Sequence, residues 1–308
     1  MEIRPAHERD IPAIVELLKL SLGESLMPKS EAFWRWKHID NPFGKSPVLL
    51  AFEGNQLIGV RAFMRWEWKQ GNTLYKAVRA VDTATHPEHQ GKGIFKKLTL
   101  QLVDQCRKEG VHFIFNTPNK SSKPGYIKMG WRELGKLNVY IAPRLSFQKR
   151  NANYDKRYAL SDQKLAEHSE PIGQLLQAEN HTNLSTHRSL EFLKWRYAVN
   201  PNIPYYLHYN EAITCVIIFR LKSTKAGTEF RICEVLNQQG IHTSGIRAIL
   251  REAVRASGAS FISSVSRIHL FPSIQLAVGP LVTINHLHEN ISLSFDTWKP
   301  TLGDMEVF

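Results

Sequence analysis

Apolar residues over the first 145 positions switch between two periods, and each switch marks an element. Met1–Ile3 reads as a strand. From Ile11 to Leu20 the apolar residues recur at helical spacing, and Glu31–Ile39 repeats that pattern over a shorter stretch. Val48–Glu53 and Gln56–Trp68 flank a Gly54-Asn55 turn and predict a hairpin. Lys76–Thr85 reads as the next strand, Ile94–Glu109 as an amphipathic helix and His112–Asn116 as a further strand. Ser121–Met129 is a short helix and Leu137–Ile141 a last strand.

The junction of the fourth strand with its helix carries the chemistry. It reads His86-Pro87-Glu88-His89-Gln90-Gly91-Lys92-Gly93-Ile94-Phe95. Two glycines permit a tight turn and let a ligand approach the main chain. The helix that follows offers unpaired N–H groups to an anion, as a pyrophosphate would require. A Walker loop would need Gly-x-x-x-x-Gly-Lys-Ser/Thr, which is absent from the sequence. A dinucleotide fingerprint needs a third glycine where Lys96 stands.

What fits is Gln/Arg-x-x-Gly-x-Gly/Ala, and through Gln90-Gly91-Lys92-Gly93-Ile94 the chain resembles the GCN5-related N-acetyltransferases. The match departs at Phe95, where the family usually carries Gly or Ala. Tyr126-Ile127-Lys128-Met129-Gly130-Trp131 is similar to the family's closing Tyr-x-Lys-Leu-Gly-Phe segment. The resemblance implies an α/β (α+β) fold, a mixed, mostly antiparallel sheet flanked by helices. It also implies acetyl-CoA, or another short acyl-CoA, as co-substrate. Gln90, Gly91, Lys92, Gly93, Ile94 and Phe95 would then meet the pyrophosphate, and backbone groups of Thr83 to Thr85 the pantetheine and the oxyanion. Tyr126 would bond or protonate the departing thiolate, or else only pack its helix on the sheet. Asp82 is the first candidate base for the incoming ammonium, ahead of Glu67 and Glu88. The bland reading of Asp82 is a strand carboxylate paired with Arg79 or another base. Asn116 or Asn119 would bond the pantetheine arm or cap the next helix, with capping favoured for Asn119.

A second pattern extends beyond residue 145. Phe33, Trp36, Asn41 and Pro42 recur without a gap as Phe192, Trp195, Asn200 and Pro201, with basic and aromatic residues between them. Both copies read as a helix ended by Asn-Pro, and both precede a hairpin, the second over Tyr205–Leu221. Strand Glu229–Leu236, helix Thr243–Ser257 and strand Ala259–Val265 follow, but Asn237-Gln238-Gln239-Gly240-Ile241 lacks the cofactor pattern. This predicts an internal duplication with a degenerate second copy. The expected domains are 1–146 and 159–308, both acyl-CoA N-acyltransferase-like, joined by a polar linker over 147–158.

Composition narrows the partners. The 308 residues and 43% hydrophobic content suffice for two cores. No apolar run is long enough to span a bilayer, and the N-terminus shows no signal-peptide core, so a cytoplasmic protein is expected. Cys106, Cys215 and Cys233 are far apart, without metal spacing, and read as reduced thiols. His86 with His89, and His286 with His288, lack further ligands at suitable spacing, so no metal is expected. A net charge of +12 favours an acidic or phosphate-bearing partner, beginning with the cofactor itself. The expected reaction is acetyl transfer to a primary amine by direct attack, with amino sugars on nucleotide carriers as the favoured acceptors. The alternatives are an acyl-CoA sensor without turnover, or a transferase working on tRNA or a protein acceptor.

Overall fold

The computed structural model describes residues 1–23, 27–144, 154–179, 182–238, 243–266, 272–288, 291 and 293–305. The chain divides into two compact units. One takes in Met1–Gly135 with Leu281–Thr297, and the other Lys136–Pro280 with Trp298–Val307.

In the first unit, β1 (Glu2–Pro5) is followed by α1 (Ile11–Leu22), α2 (Glu31–His38), β2 (Val48–Glu53), β3 (Gln56–Gln70) and β4 (Thr73–Thr85). Then come α3 (Ile94–Lys108), β5 (Phe113–Asn116), α4 (Lys123–Lys128) and β6 (Arg132–Lys136). Local chemistry fixes the helix ends. Ser30 Oγ accepts from Phe33 N at 3.1 Å and caps α2. Beyond its C-terminus Asn41 Oδ1 accepts from Phe43 N at 2.9 Å, so the Asn-Pro pair is a stop signal held by its own side chain.

The first sheet runs β1-β2-β3-β4-β5-β14-β6, where β14 is Leu281–His286. The period-two alternation of β3 and β4 divides their side chains between the two faces. Val60, Ala62 and Ala84 pack with Ile14, Leu18 and Trp34 on one face. On the other, Phe63 and Val78 pack with Leu98, Leu102, Tyr126 and Trp131. Gly59 lies under the start of α3: a Cβ there would stand 2.7 Å from Ile94 Cγ2.

The second unit contains β7 (Val139–Pro143), α5 (Tyr154–Tyr158), α6 (Asp162–Glu167), α7 (Ser169–Gln177), the two-residue β8 (Ser185–Thr186) and α8 (Leu190–Leu193). These are followed by β9 (Tyr206–Tyr209), β10 (Cys215–Thr224), β11 (Gly227–Asn237), α9 (Thr243–Ser257), β12 (Phe261–Ser264), β13 (Ile274–Leu276) and α10 (Leu302–Met305). Its sheet runs β9-β10-β11-β12-β7-β13. That is the order of β2-β3-β4-β5-β14-β6 again, with antiparallel hairpins, one parallel pair, and an antiparallel return strand.

Each sheet therefore takes its return strand from the opposite part of the sequence. Leu137–Ile141, expected to finish the first sheet, is β7 of the second, and β14 fills the corresponding place in the first. Strand alternation reports which face is buried but not which neighbour is paired. Of the expected linker, 147–153 lies outside the described residues, and 154–158 is α5, with Tyr154 and Tyr158 buried.

Candidate active site

Strands β4 and β5 pair in parallel only from Ala77–Phe113 to Arg79–Phe115. Among the described residues no strand pairs with β4 on that side from Ala80 onward, so this edge offers backbone groups to a ligand up to Thr85, whose carbonyl already accepts from Ser21 Oγ at 3.1 Å. The edge ends at the glycine loop. Gly91 and Gly93 both have φ +76°, a left-handed conformation that side chains resist, and open space where a Cβ would project. Gly93 is the N-cap of α3, so the first-turn N–H groups face that space. Gln90 is exposed, its Nε2 directed at Thr85 O at 3.5 Å. Exposed Lys92 lies beside His89, and Ile94 is buried as the anchor of the helix. These features fit a pyrophosphate at the loop and an extended amide-bearing arm along β4.

Asp82 is the extra residue of a β-bulge: Arg61 pairs with Thr83 and Ala62 with Val81, leaving Asp82 unpaired at φ +39°. Its carboxylate meets Lys37 Nζ in a short contact and His38 Nε2 at 2.8 Å, both through Oδ2. His38 Nδ1 lies 2.9 Å from Ser46 Oγ. Burial works against the Asp82 charge, yet the Lys37 ammonium and the His38 hydrogen bond outweigh it and hold the carboxyl well below its usual range. Burial also lowers Lys37 and His38, so the imidazole is neutral at pH 7. An ionised carboxylate only accepts, so His38 donates through Nε2 and accepts from Ser46 at Nδ1. Lys37 itself is buried, and its acidic partner is Asp82.

Tyr126, on α4, is buried, and its hydroxyl accepts a hydrogen bond from Arg61 Nη2 at 2.6 Å. Phe95 meets it edge-on, with ring centroids 5.5 Å apart. The Phe95 ring turns inward over Gly125, where a Cβ would stand 3.1 Å from it. The departure from the family pattern is thus absorbed against α4. Asn116 is buried and accepts from Thr283 Oγ1 of β14. Asn119 Oδ1 accepts from Ser122 N at 2.8 Å in the turn entering α4, whose N-cap is Ser122. Thr83 Oγ1 donates to Val60 O at 3.4 Å, across the β3–β4 pair.

His86, Glu88 and His89 bring potential metal-ligand atoms within 4.8 Å of one another on the loop. Lys92 Nζ lies 3.4 Å from His89 Nδ1, beside this group.

Arg61 escaped the sequence reading, although a signal was present. It is a lone charge inside the apolar run Ile58-Gly59-Val60-Arg61-Ala62-Phe63, at an inward-facing register. The second unit repeats part of the local pattern. Ser189 caps α8 through Phe192 N at 3.1 Å, as Ser30 caps α2, and Asn200 Oδ1 accepts from Asn202 N at 3.0 Å. The β10–β11 pair is also bulged, between Ile218 and Phe219, and buried Glu234 there binds Tyr197, Thr301 and Arg188. Of the segment read as a lost cofactor loop, 239–241 lies outside the described residues.

Comparison with known proteins agrees with this geometry. Residues 2–134 match the family model described as an acetyltransferase (GNAT) domain. L-amino acid N-acyltransferase MnaT from Escherichia coli (strain K12) is 27% identical over 122 residues, spanning 36% of this chain and 66% of that protein. An L-methionine sulfoximine/L-methionine sulfone acetyltransferase from Salmonella typhimurium matches equally, over 67% of its length. Among solved structures, a GCN5-related N-acetyltransferase from Anabaena variabilis superposes with TM-score 0.67 at 14% identity, over 93% of this chain and 73% of that one. A probable N-acyltransferase from Enterococcus faecalis V583 gives 0.66 at 12% identity, over 93% and 72%. Residues 2–134 are accordingly similar to the GNAT acetyltransferase domain, and these matches support an acyl-CoA-dependent N-acyltransferase.

Proposed function

We propose that the protein transfers an acetyl group from acetyl-CoA to the primary amine of a small molecule. The observation that carries this is the unpaired edge of β4 running into the open Gly91/Gly93 loop at the start of α3. In this reading Gln90 to Ile94 hold the pyrophosphate, with Lys92 adding charge at the loop. Backbone groups of Thr83 to Thr85 hold the pantetheine, and an N–H at the bulge stabilises the oxyanion. Tyr126 gives its proton to the departing sulfur. Asn116 and Asn119 shape the cofactor edge through the sheet and the α4 turn.

Asp82 serves by orienting the amine. Its Oδ2 is engaged by Lys37 and His38, while Oδ1 remains to accept an N–H from the neutral acceptor. A carboxyl held so far below its usual range is a weak proton store, so the neutral fraction of the amine is set by the acceptor itself.

The sequence alone favoured amino sugars on nucleotide carriers, from the basic surface. The two curated relatives are named for amino acids or amino-acid derivatives, so L-amino acids come first among the acceptors here. We further infer that the second unit is a degenerate copy of the first. The repeated Ser cap, the Asn turn and the shared strand order support this. The test is release of free thiol from acetyl-CoA across a panel of L-amino acids, amino sugars and nucleotide-linked amino sugars. Turnover with one acceptor class supports the reading. Acetyl-CoA binding without turnover on any amine would favour a sensor.

A further inference from the structure

We infer that Arg61 is the positioning residue for thiol departure, fixing Tyr126 as proton donor and supplying the charge that meets the phenolate left when Tyr126 protonates the sulfur. This rests on the reading of Tyr126 as the acid. Arg61 is 0% exposed. Among the described residues its one hydrogen bond runs from Nη2 to Tyr126 Oη, while Nε and Nη1 are buried without a partner. Its guanidinium lies against three rings, 4.8 Å from the Phe63 centroid, 5.4 Å from Tyr126 and 5.5 Å from Phe95. No carboxylate pairs with it among the described residues.

A guanidinium has donors only, so the Tyr126 oxygen must accept. That leaves the phenolic proton directed away from Arg61, ready for another acceptor. A buried cation without an anion is costly, and an apolar side chain of similar volume would pack there more favourably. A charge kept under those conditions is matched to negative charge that arises during turnover. As the amine forms its bond to the acyl carbon, the carbon–sulfur bond breaks and its electron pair goes to sulfur. The proton passes from Tyr126 Oη to that sulfur, and the phenolate, facing the guanidinium meanwhile, regains the proton that the amine releases to solvent. The aromatic cage lowers the local dielectric, so the guanidinium acts on that charge more strongly than it would in water.

The test compares Arg61→Met, Arg61→Lys and Tyr126→Phe with two donors, acetyl-CoA and its analogue with selenium in place of the thioester sulfur. Selenolate leaves with little help from an acid. Arg61→Met is expected to lose about 10- to 100-fold in kcat with acetyl-CoA and under about 3-fold with the selenium donor. Its affinity for acetyl-CoA should stay within about 3-fold, and it should melt at or above the wild-type temperature. Arg61→Lys keeps the charge and falls between. Equal losses with both donors, or a fold that melts earlier in Arg61→Met, would make Arg61 structural and overturn the inference. If Tyr126→Phe shows no donor-dependent loss, it is the reading of Tyr126 that fails. If Tyr126→Phe shows it and Arg61→Met does not, only the role of Arg61 fails.

Discussion

Asp82 joins a rare backbone conformation to a buried ion pair, and both follow from its place as the extra residue of the β4 bulge. Replacing it with Asn would leave the Lys37 ammonium buried without its anion. Asp82→Asn is therefore expected to cost about 3–5 kcal/mol at pH 7, read by urea denaturation. The sign with pH follows from the lowered folded-state pKa. The contribution is fully present above the unfolded carboxylate value near 4 and is lost only as pH falls through the folded value below it. The difference between wild type and Asp82→Asn should thus be flat from pH 8 to 5 and shrink in stronger acid. In turnover, the acid limb of kcat/KM should follow the pKa of the chosen amine and move when the amine is changed. A limb fixed across acceptors would point instead to a protein base.

The residues of this network show what could be read in advance. Asp82 stood out as a carboxylate just before a glycine loop, and its pairing with a base was one of the two readings. Which base was hidden, because Lys37 and His38 lie more than 40 positions earlier on a helix whose basic residues look solvent-facing. Arg35 meets that expectation, half a turn away, pairing with exposed Glu8 at 2.9 Å. Arg61 was legible in principle, since a charge inside an apolar strand demands a reason.

The glycine loop works only if α3 is seated at the correct height, and Gly59 of β3 sets that height. Gly59→Ala would force a Cβ to 2.7 Å from Ile94 Cγ2 and 3.2 Å from Leu98 Cδ1. The helix start must shift, so a stability loss of about 1–3 kcal/mol is expected, with weaker acetyl-CoA binding in the same variant. Unchanged affinity would show that the loop tolerates displacement of its helix. Most element types were legible because amphipathic periodicity and turn residues agree along β2, β3, β4 and α3. The edge strand β6 was not, since its exposed Arg132–Lys136 stretch carries no alternation of apolar and polar residues.

Strand exchange between distant parts of the chain decides where this protein can be cut. β14 stands between β5 and β6, and Thr283 binds Asn116 from within that strand. A polypeptide of residues 1–146 keeps the whole cofactor loop but lacks β14, so β6 loses its neighbour. Such a fragment is expected to aggregate or stay unfolded, as circular dichroism and gel filtration would reveal. A monomeric fragment that binds acetyl-CoA would show that the return strand is dispensable. The exchange was invisible in the sequence because β7 and β14 are ordinary short strands, and alternation carries no record of a partner more than 100 residues away.

Every role assigned to the first unit depends on acetyl-CoA binding at the glycine loop. Calorimetric titration of the protein with acetyl-CoA, beside a Gly91→Glu/Gly93→Glu variant, tests it most directly. Saturable micromolar binding by the native protein, lost in the variant, is the result expected if the open, left-handed glycines receive a pyrophosphate. No binding by the native protein, or equal binding by both, would contradict it.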